Sequence, residues 1–242
     1  MDCTEGTLLD GRVRYAQPKK GFRSGIEPVL LAAAVPARPG QCVLEAGSGA
    51  GAALLCLATR VPGIGGVGIE IDPDLAALAQ RNAAANALPD LHFLAADILA
   101  APESKMFHHA CANPPYHQAG GTPSPNLARA RAKIASRELF AGWIGAMAAR
   151  LRPRGTLTLI LPAAAMPVCL KSLGPAGCGS ACLLPLWPRL DQPAKFVLLQ
   201  AIKGGRGAFR ILPGLTLHEM EGGFTPAAED ILRRVGALTL SE

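Results

Sequence analysis

Between Cys42 and Arg60 a short apolar run, Cys42–Glu45, passes through glycines at 47, 49 and 51 into an alanine- and leucine-rich stretch ending at Arg60. Three glycines at alternate positions let the backbone turn sharply and leave no Cβ between it and a ligand. A strand, a tight turn and a helix in direct succession are the building unit of a layered α/β sheet. The spacing differs from the G-x-G-x-x-G dinucleotide fingerprint. A strand-to-helix turn that merely needs glycine is the other reading of these residues.

The rest of the chain repeats the unit. Glu27-Pro28 opens a helix over Pro28–Val35, since proline is favoured at the first helical position. After the glycine turn, Ala50–Arg60 reads as a helix, Gly66–Ile71 as a second strand, Pro73–Asn86 as a helix and Leu91–Ala95 as a third strand. Met106–Ala112 is a fourth strand, Arg137–Leu151 a long helix and Gly155–Leu161 a fifth strand. A helix over Ala163–Gly174 and two closing strands, Cys182–Trp187 and Lys195–Ile202, follow. Phe209–Leu212 is a further extended piece, and Thr225 caps a last helix running to Val235. Strands alternating with helices predict a doubly wound, mostly parallel sheet covered on both faces. Residues 1–27 read as a basic arm or hairpin and residues 28–242 as the main domain.

Composition narrows the function classes. At 242 residues and 50% hydrophobic, the chain can bury a sizeable core and is neither disordered nor collagenous. The net charge of +6 suits a polyanionic partner, yet many ordinary enzymes are as basic. The longest apolar stretch, Gly155–Leu170, is interrupted by Pro162 and Pro167 and is short for a bilayer. The N-terminus is acidic where a signal peptide is basic, so a cytoplasmic location is expected. The seven cysteines contain no C-x-x-C, and Cys178 and Cys182 lack a second pair, so no metal is expected. Cys42, Cys56 and Cys111 read as small buried hydrophobes.

Acidic residues mark the strand ends. Glu70 ends the second strand, where a carboxylate can accept both hydroxyl protons of a ribose. Asp72 is its rival there, or else the cap of the helix starting at Pro73. Asp97-Ile98 follows the third strand; Asp97 is a ligand contact or a turn cap.

Asn113-Pro114-Pro115-Tyr116 after the fourth strand is the most specific feature. Two prolines fix the backbone and remove two N–H donors, and the asparagine before them is held extended. The peptide therefore offers acceptors at a rigid place. The Asn113 side-chain oxygen and the Pro114 carbonyl can each take one N–H of an exocyclic amine or an amide NH2. Tyr116 offers an aromatic face for a flat group.

These motifs, in this order, resemble the class I S-adenosylmethionine-dependent methyltransferases, whose motif I has the pattern acidic-x-Gly-x-Gly-x-Gly seen at Glu45–Gly51. The resemblance implies a seven-stranded Rossmann-like sheet with an antiparallel edge strand. It implies that Glu45, Gly47, Ser48, Gly49 and Gly51 surround the amino-acid end and ribose of the cofactor. Glu70 and Ile71, in the run GIEIDP, would meet the ribose, and Asp97 and Ile98 the adenine, with Asn113 adjoining. The product would be S-adenosylhomocysteine. Asn113, Pro114, Pro115 and Tyr116 would be the catalytic tetrapeptide of an amino-methyltransferase.

The series RSGIEPVLLAA, VLEAGSGAG, GIEIDP, AADIL, NPPYHQAGG and LRPRGTLTLILP resembles the bacterial tRNA-Val (adenine-37-N6)-methyltransferase group over nearly the whole chain. That implies tRNA as partner, with a monomer as the default. Arg12, Arg14, Lys19, Lys20, Arg23, Arg129, Arg131 and Lys133 are then the candidate phosphate contacts, or else a solvated charged face. A protein glutamine N5-methyltransferase or another RNA or DNA amino-methyltransferase shares the tetrapeptide and stays open. So does an RNA-binding module that has kept the fold without turnover. The group often has Gly-Thr-Asp where this chain has Gly25-Ile26-Glu27, so the resemblance carries no cofactor contact over to these residues and Glu27 is left as a helix cap. The loop Gly120–Pro125 also departs from the group. His108, His109 and His117 show no metal-ligand spacing, and His117 is a candidate lining residue of the base pocket.

Overall fold

Strands written as near-continuous apolar runs are stable only when both faces are covered, and here Val43, Leu44 and Ala46 on one strand and Leu157, Leu159, Ile160 and Leu161 on another are fully buried. The computed structural model describes residues 1–20, 23–101, 106–114 and 137–240. The chain begins with an antiparallel hairpin, β1 (Cys3–Leu8) and β2 (Val13–Pro18), followed by α1 (Glu27–Ala34). The sheet then builds through β3 (Cys42–Ala46), α2 (Ala52–Arg60), β4 (Gly65–Glu70), α3 (Pro73–Ala85), β5 (Leu91–Ala95) and β6 (Phe107–Ala112). It continues with α4 (Arg137–Ala149), β7 (Leu151–Pro162), α5 (Met166–Leu173), β8 (Cys178–Trp187) and β9 (Phe196–Lys203). Two short strands, β10 (Arg210–Ile211) and β11 (Leu215–Thr216), precede α6 (Pro226–Arg234).

The sheet order is β10-β8-β9-β7-β6-β3-β4-β5, with β11 also on β8. The pairs among β3 to β7 are parallel, which gives the doubly wound sheet expected from the alternation. The strand antiparallel to its neighbours is β9, one place in from β8 and not at the edge. Its Val197, Leu198 and Leu199, which alternate between the two faces, are all buried, so both faces of this inner strand are covered. β10 and β11 pair parallel to β8 and bring the sheet to nine strands instead of seven.

Several boundaries differ for local reasons. α2 starts at Ala52, not Ala50, because Gly51 takes a left-handed φ of 90°. β7 starts at Leu151, not Gly155; Leu151 already pairs with Phe107 although Arg152-Pro153-Arg154 reads as a loop. The helix expected over Ala163–Gly174 divides into a 3-10 turn, Ala163–Ala165, and α5, because Pro167 favours the first turn of a new helix. Thr225 caps α6 by accepting from the Ala228 N–H at 3.2 Å, as expected. Asp72 caps α3 by accepting from the Asp74 and Leu75 N–H groups through Oδ1. Glu27 does not cap α1: Ile26 holds that position without a side-chain bond, and Glu27 is the first helical residue.

Two apolar clusters sandwich the sheet. Val43 and Ile160 pack with Leu31 of α1, Leu54 of α2, Leu78 of α3 and Ile231 of α6. Leu44 and Leu159 pack with Ile144 and Met147 of α4 and Cys169 of α5 on the other face. Cys56 and Cys111 are buried, whereas Cys42 is half-buried.

The hairpin is fastened to α3 by an asparagine pair. Asn86 Oδ1 accepts from the Arg14 N–H at 2.8 Å and its Nδ2 donates to the Arg14 carbonyl at 2.7 Å. Asn82 repeats this with Ala16, at 3.0 and 2.9 Å. Two side chains one helical turn apart thus act on β2 as a neighbouring strand would.

Candidate active site

All three glycines of the loop after β3 lie in the left-handed region, with φ of 66°, 54° and 90° at Gly47, Gly49 and Gly51. A Cβ on Gly47 would fall 2.6 Å from the Trp143 ring, and one on Gly51 2.9 Å from the Phe93 ring. Among the described residues Gly49 has nothing within 4 Å of the same position. The outer glycines are therefore required by packing and the middle one faces open space.

Glu70, at the end of β4, is bonded to this loop. Its Oε2 accepts from the Gly49 N–H at 2.8 Å and its Oε1 from the Asp72 N–H at 3.0 Å. Burial raises its pKa, and those two bonds oppose the rise. Glu45 is more deeply placed, at 3% exposure, with Oε2 accepting from the Leu54 N–H at 3.2 Å. Burial, followed by the nearby Glu70 charge, pushes its carboxyl up to about 8 despite that bond. The Ser48 hydroxyl is buried and has no hydrogen-bond partner among the described residues.

A cavity opens between the glycine loop and the hairpin. Glu45, Gly49 and Asn113 line one side of it, and Tyr15, Gln17 and Ser24 the other. Asn113 is half-buried at the end of β6 and Pro114 is buried. Gln17 Oε1 accepts from the Ser24 N–H at 3.1 Å, which turns the amide nitrogen the other way. The Tyr15 hydroxyl lies 2.8 Å from Ser24 Oγ, and burial pushes it up to about 12.

Along the strand ends beyond Glu70, Ile71 is 56% exposed and Leu99 50%. Asp97 is exposed and accepts from the Leu99 N–H at 2.9 Å, while Ile98 is buried. Asp97 is thus both a turn cap and an accessible carboxylate.

The structure brings Glu45, Gly47, Ser48, Gly49 and Asn113 to one cavity, with Glu70 joined to it through Gly49. Pro115, Tyr116, His117 and the loop Gly120–Pro125 lie outside the described residues, as do Arg129, Arg131 and Lys133. Lys20 and Arg23 are exposed next to the hairpin's open end, where Pro18 and Ser24 reach the cavity. Lys19 is there too, paired with Asp2 at 3.0 Å. Arg14 is exposed midway along β2. Arg12 is at the opposite end, its Nη1 donating to the Leu9 and Arg233 carbonyls at 3.0 and 2.7 Å. That places it against the end of α6, remote from the glycine loop.

The sequence reading missed Tyr15, Gln17 and Trp143. Val13 and Tyr15 are buried and alternate with exposed Arg14, a period-two signal masked by the surrounding cations. Nothing local marked Trp143, which arrives from α4. Among the described residues no group of three or more His, Cys, Asp or Glu is placed to hold a metal ion. No helix among them is long and apolar enough to cross a membrane.

The open face of Gly49, the Ser48 hydroxyl with no partner among the described residues, the acceptor Glu70 and the exposed Ile71 that follows it together fit a nucleoside joined to a charged amino acid. The methyltransferase small domain family matches residues 26–160, more than half of the chain. The chain belongs to this family. It is an S-adenosylmethionine-dependent methyltransferase. Among its relatives, a tRNA1(Val) (adenine(37)-N6)-methyltransferase of Aeromonas hydrophila is 28% identical over 209 residues, covering 84% of this chain and 86% of that protein. A release factor glutamine methyltransferase of Escherichia coli is 36% identical over 84 residues, covering 35% of this chain and 30% of its own. The crystal structure of a predicted O-methyltransferase from Agrobacterium tumefaciens superposes with a TM-score of 0.73 at 24% identity, covering 88% of this chain and 98% of that one. That likeness shows the fold.

Proposed function

We propose that this methyltransferase acts on the exocyclic N6 amine of an adenine in tRNA, adenine 37 of a tRNA-Val being the position named for its relatives. The observation that carries the reading is the placement of Asn113, followed by Pro114, at the end of β6 and on the cavity shared with Gly47–Ala50. Bound S-adenosylmethionine supplies an electrophilic methyl group on sulfur. Glu70 would accept from its ribose, Ile71, Asp97 and Ile98 would meet its adenine, and Glu45 and the Gly47–Gly51 loop its amino-acid end. Asn113 Oδ1 and the Pro114 carbonyl would accept the two N–H bonds of the amine and aim its lone pair. Pro115 and Tyr116 complete the tetrapeptide in this reading, as a rigid proline and an aromatic face that the base would stack on. Rate enhancement by orientation alone can reach roughly 7–11 kcal/mol.

In the same reading residues 1–27 are an arm that meets RNA and residues 28–242 the catalytic domain, working as a cytoplasmic monomer. Lys19, Lys20 and Arg23 at the cavity end, with Arg14, Arg129, Arg131 and Lys133, would contact phosphates. The glutamine reading rests on the 36% match to the release factor enzyme over 84 residues. Mass spectrometry of nucleosides from tRNA treated with enzyme and cofactor tests the proposal. N6-methyladenosine among the tRNA nucleosides is expected; with labelled cofactor, label appearing only in protein overturns it, and label on a release factor but not on RNA establishes the glutamine reading.

A further inference from the structure

Asn82 touches more than the hairpin. Besides its two bonds to Ala16, its Nδ2 donates to the Ala50 carbonyl at 2.9 Å, and the residue is 3% exposed. Ala50 directly follows Gly49, whose N–H is fixed to Glu70 and whose open side faces the cavity. One amide side chain therefore holds both walls of the cavity: β2, which presents Tyr15 and Gln17, and the glycine loop. Asn86 is the internal comparison. It makes the same two bonds to β2, at Arg14, but its third goes to the carbonyl of Asn82, within its own helix.

We propose that Asn82 is a positioning residue that couples the hairpin to the cofactor loop, so that a ligand ordering one wall strengthens binding at the other. This rests on the glycine loop holding the cofactor, but not on which amine is methylated. The physical reason is local. A carbonyl deprived of its buried donor is expensive to leave unmet, so the Ala50 peptide rotates toward another partner. That carbonyl belongs to the Ala50–Gly51 peptide, whose N–H at Gly51 donates to the Ser48 carbonyl at 2.8 Å, so the turn that holds Gly49 shifts with it. Ordering the hairpin restores Ala16 to Asn82 and hence Asn82 to Ala50. Coupling between sites is reciprocal, so cofactor on the loop also steadies β2.

The test compares Asn82→Asp and Asn86→Asp. Each substitution keeps the oxygen that accepts from β2 and puts a carboxylate oxygen in place of the donating NH2, at a larger cost at buried Asn82 than at half-buried Asn86, so thermal melts of both variants are recorded beside the binding. Calorimetry with S-adenosylhomocysteine and backbone hydrogen exchange over residues 13–18 are read together. Asn86→Asp is expected to speed exchange in β2 while leaving the dissociation constant within about three-fold. Asn82→Asp is expected to speed the same exchange and weaken the ligand by about ten-fold or more. Equal losses in both variants, or no loss in Asn82→Asp, overturn the coupling and leave Asn82 a hairpin fastener. If Asn82→Asp does not fold, wild-type protein decides: S-adenosylhomocysteine must slow exchange of the Ala16 N–H, which donates to Asn82 Oδ1. An unchanged rate there overturns the proposal. Failure of the wild-type protein to bind the ligand at all instead overturns the cofactor site itself.

Discussion

His109 Nε2 lies 2.8 Å from Gln41 Oε1, and its other ring nitrogen lies 2.8 Å from Thr156 Oγ1. Gln41 Oε1 also accepts from the Arg38 N–H at 2.8 Å, so the ring donates through Nε2 and accepts through Nδ1 as a neutral imidazole. Burial, then His108 and Arg38, lower its pKa to about 4. An unfolded histidine titrates near 6.5. Between those values the unfolded chain takes up a proton that the folded one refuses, so stability falls as pH falls through that window, by at most roughly 3 kcal/mol. Urea unfolding at pH 7 and pH 5 should show the loss, and His109→Gln should shrink it. An unchanged pH dependence in the variant would assign the effect elsewhere.

Glu45 acts on the alkaline side. Its folded carboxyl titrates at about 8 against 4.5 for the ordinary group, because burial and Glu70 favour the neutral form. The folded state keeps a proton that the unfolded state releases, so this residue's contribution declines as pH rises from about 4.5 to about 8. Linkage caps that decline at roughly 5 kcal/mol. Glu45→Gln keeps an acceptor for the Leu54 N–H and should melt at a higher temperature than wild type at pH 8, with the difference closing near pH 5. A constant difference across that range would count against a buried, protonated Glu45.

The middle and last glycines of the loop should fail differently when replaced by alanine. At Gly49 the added methyl enters open space, so the cost is left-handed backbone strain of about 1 kcal/mol, yet the methyl stands in the cradle. Gly49→Ala should melt within a few degrees of wild type and bind S-adenosylhomocysteine more than ten-fold less tightly. Gly51→Ala drives the methyl against Phe93, 2.9 Å away, and should lose stability by about 2 kcal/mol or more. Reversed rankings in calorimetry and thermal melting would refute the distinction.

Asn113→Ala should abolish turnover while S-adenosylhomocysteine affinity stays within a few-fold. Single-turnover assays with labelled cofactor measure the first quantity and calorimetry the second. Retained turnover removes Asn113 from the acceptor site.

Charge reversal separates the two ends of the hairpin. Lys20→Glu with Arg23→Glu should weaken tRNA binding and reduce its salt dependence, since each lost phosphate contact lowers the slope by roughly one. Arg12→Glu should leave the slope alone and lower the melting temperature, because Arg12 holds the Arg233 carbonyl at the end of α6. Filter binding at several salt concentrations distinguishes these outcomes.

The elements that carry their own pattern were legible in the sequence. β3, the glycine turn and α2 follow one another directly between Cys42 and Arg60, and Asn113-Pro114 follows the strand Phe107–Ala112. The hairpin's part in the cavity was not legible, because it depends on Asn82 and Asn86 reaching back to Ala16 and Arg14. Trp143 meets Gly47 only after the sheet has formed. β10 lies within the extended piece read at Phe209–Leu212, whereas β11, two residues long, is too short to show any period. Arg12 looked like its neighbours by charge and differs from them by position alone.

The asparagine pair has a consequence for life in a crowded solution. A strand with a bare row of amides and carbonyls is a template on which another chain can build. On β2 that row is occupied at Arg14 and Ala16 by side chains of the same molecule. The hairpin can therefore stand at the mouth of the cavity without offering this edge to a passing strand, and loss of both asparagines would show first as self-association.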